Sequence, residues 1–304
     1  MREISLNFSD CPVQIERFFT TILGKKFLLR REDRPDYLIY ALTGHRHRLY
    51  NCTKILVHHE TYLPNWNQCD YAVLPIRSED PRQLYLPLYA FDRRPDPLVR
   101  GGEDWEEIAR SKKRFCVLLS NYADRTVAQR VRFFHALNRR RKVDSPGRAL
   151  NNTGFQGIPG WKGKLDLYRG YRFVISFENK DCPGWITEKM YDPLAAHAIP
   201  IYWGPRDTTQ VFQPGCFVNA MDFPSHEDLA DHVLALEADP ARFRRILETP
   251  PFYDNRPPET FSTERIVDFF ERVFLEGCRP VAQRRWFFPL TKWRLAKRNK
   301  LPGE

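Results

Sequence analysis

The chain has 304 residues, 42% of them hydrophobic, with a net charge of +10 and a pI near 9.3. That length suits two medium domains with buried cores, and the apolar share is ordinary for a globular protein. No apolar run is long enough to span a bilayer, and the N-terminus carries no signal-peptide pattern. The basic balance implies anionic partners, for which nucleic acid, phospholipid and a nucleoside diphosphate all qualify.

Residues 1–110 read as a first α/β domain. Strands are expected at Ile4–Phe8, Tyr37–Ala41, Lys54–His58 and Tyr71–Leu74, with a helix over Cys11–Leu23, and the β-α-β order argues for a parallel sheet. Residues 91–112 crowd Pro, Gly and charge together and read as an interdomain connection. A second α/β domain, 111–277, opens with a strand at Phe115–Ser120, then Asp124 as a candidate N-cap and a basic amphipathic helix over Thr126–Arg139 that carries Arg130. The Gly-rich stretch Val143–Gly170 is irregular, either a flexible loop or a loop that touches a diphosphate or sugar. Further on come a strand at Cys216–Phe223 and helices at His226–Glu237 and Ser262–Gly277. A tail, 278–304, alternates basic and aromatic residues from Arg284.

The stretch Tyr171–Pro205 organises the second domain. An apolar run, Tyr171–Phe177, ends in Glu178-Asn179; a Pro183-Gly184 turn follows; Thr187-Glu188-Lys189 opens a helical pattern; and Ile199–Trp203 is a second strand. This strand-helix-strand unit gathers its polar residues at the strands' carboxyl end, where open α/β sheets bind ligands.

FEN at Phe177–Asn179, TEK at Thr187–Lys189 and IPIYWGP at Ile199–Pro205 resemble the donor-site signature of the α1,3-fucosyltransferases, glycosyltransferase family 10 in its bacterial form. The segment Glu60–Ala72, ETYLPNWNQCDYA, is similar to that family's acceptor-side motif. The resemblance covers roughly residues 50–225. With the two β-α-β halves, it implies a GT-B fold, two Rossmann-like domains facing across a cleft. It also implies an inverting enzyme that moves L-fucose from GDP-fucose to a hydroxyl of a GlcNAc- or LacNAc-type glycan, in α1,3 or α1,3/4 linkage, as in Lewis antigens, protein glycosylation or surface polysaccharide.

Such a reaction needs a base for the attacking hydroxyl, positive charge for the departing diphosphate and two aligned substrates. The resemblance makes Glu60 the base, with His59, Asn65 and Trp66 on the acceptor side. His58, His59, Tyr62 and Trp66 depart from the family pattern, so acceptor preference does not carry over. A metal site at His58-His59-Glu60 is the competing reading, opposed by the alternation of side chains along a strand. Arg130 and Lys189 become diphosphate clamps, Lys189 also lying at a helix start that favours anions. Glu188 suits ribose hydroxyls, Asn179 the fucose or the diphosphate. Trp185 stands where the family usually has Tyr, and its indole donates but does not accept.

No DxD pair is present, so no metal is required; a divalent cation is at most stimulatory, and GDP-fucose is the donor substrate. Seven scattered cysteines without a CxxC pair read as reduced thiols, and the sequons at Asn51 and Asn151 as chance. The expectation is a complete cytoplasmic protein that starts at Met1, peripheral at the inner membrane face through its tail. Two alternatives stay open: a same-fold transferase with another GDP-sugar or polysaccharide acceptor, and a basic nucleic-acid-binding module, for which only the tail fits.

Overall fold

The computed structural model describes residues 1–154, 160–278 and 280. They form two compact units: Met1–Leu86 together with the described residues from Ser262, and Pro87–Phe261.

Among the described residues, the first unit holds one parallel sheet of β1 (Arg2–Ser9), β2 (Phe27–Arg30), β3 (Tyr37–Tyr40), β4 (Thr53–Val57), β5 (Tyr71–Leu74) and β6 (Gln83–Tyr85). Its order is β2-β1-β3-β4-β5-β6. Every residue of β3 and β4 is buried, as parallel strands covered on both faces must be. Helix α1 (Val13–Leu23) turns Ile15, Phe19, Ile22 and Leu23 inward at helical spacing. The helix Thr263–Glu276 buries Ile266, Phe269, Phe270, Val273 and Phe274. Its Phe270 ring lies 5.4 Å from Phe19, and Phe274 lies 5.1 Å from Phe27 and 4.7 Å from Tyr37. Arg2 Nη2 donates to the Phe274 carbonyl at 2.9 Å. The helix stops at Gly277, whose φ of 79° lies in the left-handed region open to glycine.

The second unit runs α2 (Leu88–Asp92), α3 (Trp105–Ser111), β7 (Arg114–Val117), α4 (Ala128–Asn138), α5 (Gly160–Arg169), β8 (Tyr171–Phe177), α6 (Glu188–Ala195), β9 (Ile199–Trp203), β10 (Val218–Asn219), α7 (His226–Glu237) and α8 (Pro240–Glu248). Its parallel sheet is ordered β10-β9-β8-β7. Side chains of β8 alternate between two cores. Phe173, Ile175 and Phe177 pack with Phe133 and Phe134 of α4, Leu229 of α7 and Phe243 of α8. Val174 packs with Tyr168 of α5 and with Met190 and Leu194 of α6. From β7 the chain passes through α4 to a parallel bridge at Asp144, on the edge of β7 away from β8, and then through α5 to β8. The connection reverses there, which places a ligand crevice at the carboxyl ends of β7 and β8.

Several expectations change. The boundary expected near residue 110 falls at Leu86 and Pro87 instead. Residues 91–112 are part of the second unit, because Tyr89 and Leu98 are fully buried in the same core as Tyr191, Phe212 and Phe252. The helix expected at 262–277 belongs to the first unit, held there by its phenylalanines. Val143–Gly170 is not irregular throughout: α5 forms there as Leu165 and Tyr168 are buried, so packing overrides the poor helix propensity of its glycines. The strand expected over 216–223 shrinks to β10 between two 3-10 turns. β2 and β6, short and unforeseen, extend the first sheet. The tail 278–304 lies outside the described residues except for Cys278 and Pro280. No helix among the described residues is long and apolar enough to cross a membrane.

Phe274→Ala removes the ring shared by Phe27 and Tyr37. The first unit is expected to lose about 3–5 kcal/mol of stability, measured as a lower urea midpoint of its unfolding.

Candidate active site

Glu178 follows β8 directly and is 2% exposed, its N–H bound to the Trp203 carbonyl at 2.7 Å. Thr187 caps α6, accepting from the Lys189 N–H at 3.3 Å. The same residue meets the Glu178 carboxylate: its N–H donates to Oε1 at 2.8 Å and its hydroxyl lies 2.9 Å from both oxygens. The Tyr202 hydroxyl adds a bond to Oε1 at 3.3 Å. A Cβ on Gly204 would stand 2.5 Å from that hydroxyl, so the glycine leaves room for the phenol.

Lys189 sits between two carboxylates, its Nζ 3.4 Å from Glu178 Oε2 and 3.1 Å from Glu188 Oε1. Burial pushes the Glu178 carboxyl above its usual range, opposed by Lys189 and Thr187. Burial would also raise Glu188, yet Lys189 and Lys164 hold it down to about 2. Burial works to strip the Lys189 proton, and the two carboxylates outweigh it, so that Lys189 is raised and stays charged at neutral pH.

Arg130, expected as a clamp, is buried and turned toward the strand end. Its Nε and Nη2 donate to the Phe177 carbonyl, the first at 3.1 Å, its Nη1 to Ser120 Oγ at 3.2 Å and its Nη2 also to Asn179 Oδ1 at 2.8 Å. It thereby fixes the orientation of Asn179. One turn beyond Glu188, on the same helix face, Asp192 is fully buried. It accepts from Trp161 Nε1 at 2.9 Å and Arg93 Nε at 3.2 Å, and pairs with Lys164 Nζ at 2.7 Å. The Arg93 guanidinium lies over the Trp161 ring at 4.9 Å. Trp185, expected in the donor site, is 3% exposed and offers a ligand little surface.

The acceptor-side residues lie in the first unit, in the loop after β4. Glu60 is exposed, its N–H donating to His58 Nδ1 at 3.0 Å. Burial, with the nearby His58, pushes His59 down to about 4, so it is neutral at pH 7. Asn65 Oδ1 accepts from the Asn67 N–H at 3.1 Å and closes the turn. Trp66 lies under the Arg82 guanidinium at 4.1 Å. Among the described residues no group of three or more His, Cys, Asp or Glu is disposed to hold a metal ion.

The structure thus gathers Arg130, Asn179, Glu188 and Lys189 in the second unit, with Trp185 buried, and His59, Glu60, Asn65 and Trp66 in one loop of the first. The sequence reading gave Glu178 no role of its own and passed over Asp192. Glu178 stands in the FEN motif; Asp192 follows Glu188 by four positions, a detectable helical spacing. Nothing in the sequence marks Asp10, after β1, whose carboxylate accepts from the His47 backbone N–H at 2.7 Å and lies 2.8 Å from its ring Nδ1.

Residues 108–281 match the family model described as glycosyltransferase family 10 (fucosyltransferase) C-term, and residues 5–92 that of the alpha-(1,3)-fucosyltransferase FucT N-terminal domain. The chain is 30% identical over 150 residues to the alpha-(1,3)-fucosyltransferase FucT of Helicobacter pylori, 46% of this chain and 30% of that protein. It is 27% identical over 147 residues to a putative fucosyltransferase of Acanthamoeba polyphaga mimivirus, 46% of this chain and 24% of that protein. With mouse alpha-(1,3)-fucosyltransferase 4 it shares 30% over 201 residues, 65% of this chain and 43% of that protein. The matches span less than half the length of these curated relatives. A crystal structure of an alpha1,3-fucosyltransferase with GDP-fucose superposes with a TM-score of 0.70 at 21% identity, covering 90% of this chain and 91% of that one.

A carboxyl held down in the fold stabilises it at higher pH. The contribution of Glu188 is complete above its ordinary 4.5 and is lost as pH falls toward about 2. Thermal melts should therefore show wild type above Glu188→Gln near neutrality, with the gap closing through that window.

Proposed function

We infer the reaction from one premise: this chain belongs to glycosyltransferase family 10, the fucosyltransferases, and has their GT-B fold of two Rossmann-like domains. On that premise we propose that it transfers L-fucose from GDP-fucose to a hydroxyl of a GlcNAc-containing glycan, in α1,3 or α1,3/4 linkage, with inversion. The observation that carries the reading is Lys189, charged and held between Glu178 and Glu188 at the first turn of α6, beside the reversal of the second sheet. A cation and a helix N-terminus at that place suit a diphosphate.

The acceptor oxygen attacks the anomeric carbon from the face opposite the diphosphate. Its proton passes to the Glu60 carboxylate, and the electron pair of the breaking C–O bond leaves with GDP. Lys189 meets the departing charge, and Arg130 adds its field while holding Asn179 toward the fucose or the diphosphate. Glu188, ionised, accepts from the ribose hydroxyls. His59, Asn65 and Trp66 frame the acceptor. These cations suffice for the leaving group, so a divalent cation would at most accelerate transfer.

Labelled GDP-fucose with an array of GlcNAc and LacNAc glycans tests the reading; turnover of a different GDP-sugar alone would overturn the donor. Glu60→Gln should lower turnover by about 10²–10⁴ while GDP binding stays intact. Lys189→Ala should weaken GDP binding in calorimetry by about tenfold or more.

A further inference from the structure

The second unit holds a cavity of about 850 Å³ between α3 and α8, at the amino-terminal side of its sheet. Arg172, the second residue of β8, lines it, whereas Glu178 follows that strand's other end. Six residue steps separate them, roughly 20 Å of extended chain, so the cavity is not the donor site. The volume lies within the range of small-molecule sites.

Its walls carry the cations Arg110, Lys113, Arg172, Arg244 and Arg245, against the carboxylates Glu106 and Glu248; Lys112 lines it too but is buried. Both carboxylates are already engaged, Glu106 with Arg110 at 3.4 Å and Glu248 with Arg244 at 2.9 Å. Arg172 pairs outside the lining with Glu237 at 3.0 Å, and its guanidinium lies over the Phe243 ring at 4.0 Å. Among the described residues, Lys113 and Arg245 have no carboxylate within ion-pair distance. The Lys112 ammonium donates to the Arg169 and Ala196 carbonyls at 3.2 and 3.3 Å, and burial, with Arg100 and Arg169, pushes it down to about 7. Like charges around one concavity repel until an anion enters.

We propose that this cavity is a second anion site, distinct from the donor site, that takes a multiply charged phosphate such as a diphosphate. The Lys113 ammonium and Arg245 guanidinium supply the principal bonds, and Arg172, steadied on Phe243, backs them.

Isothermal titration of inorganic pyrophosphate into the full chain, presaturated with GDP, tests the proposal. One further equivalent should bind, and Lys113→Ala/Arg245→Ala should weaken it by about tenfold or more while leaving GDP affinity unchanged. Both positions are exposed, and an unchanged melting midpoint verifies that the variant folds. Repeating the titration on Lys189→Ala without GDP separates the two sites: the second site should persist there even if GDP proves not to be the donor nucleotide. Absence of pyrophosphate binding to the GDP-loaded chain and to Lys189→Ala would overturn the proposal. So would a double variant that binds like wild type.

Discussion

A carboxylate withdrawn from the protein surface is the constraint on which the second unit depends. Glu178 lies at a strand end with almost no exposure and keeps company with a threonine, a tyrosine and a lysine that together satisfy it. A buried charge costs several kcal/mol unless such partners surround it. Those partners come from three places in the chain: the cap of α6, the end of β9 and the first turn of α6. Satisfying one group therefore fixes where α6 begins relative to β8 and β9. Lys189 and Glu188 inherit their positions from that requirement, and a charged lysine is retained because two carboxylates outweigh its desolvation.

Arg130 is the same constraint seen from the other core. Its guanidinium crosses from α4 to the Phe177 carbonyl and reaches Asn179, so the strand end is held from both sides of the sheet. A planar fork with five donors suits that task better than a lysine would. Asp192 repeats the pattern one turn along α6, binding α5 through Trp161 and Lys164 and the segment after α2 through Arg93. Buried acids with several donors thus organise the region, with aromatic and aliphatic packing beneath them.

The long apolar strands and the polar motif between them were legible in the sequence. Tyr71–Leu74 and His226–Glu237 fall where expected, and β8 with α6 and β9 follow the strand-helix-strand reading. Local pattern is strong there because fully buried parallel strands read as continuous apolar runs. Residues whose state depends on distant partners were not legible. α5 looked like a loop because two glycines and two lysines dilute its pattern; only contact with α6 shows why Leu165 and Tyr168 make it helical. The resemblance offers Arg130 as a diphosphate clamp, whereas its bonds to Phe177, Ser120 and Asn179 appear only in the fold. The division between units was misplaced because Pro and Gly near residue 100 look like a linker, whereas the burial of Leu98 is a tertiary fact.

The first unit draws its sheet from the beginning of the chain and its last covering helix from beyond Ser262. On a ribosome, the early strands and α1 therefore emerge with Phe19, Phe27 and Tyr37 uncovered. They wait while the whole of Pro87–Phe261, complete in itself, is synthesised and free to fold. Translation at about 5–20 residues per second makes that wait some tens of seconds at most, during which those rings are candidates for a chaperone. Any truncation ahead of Phe269 would make this nascent condition permanent.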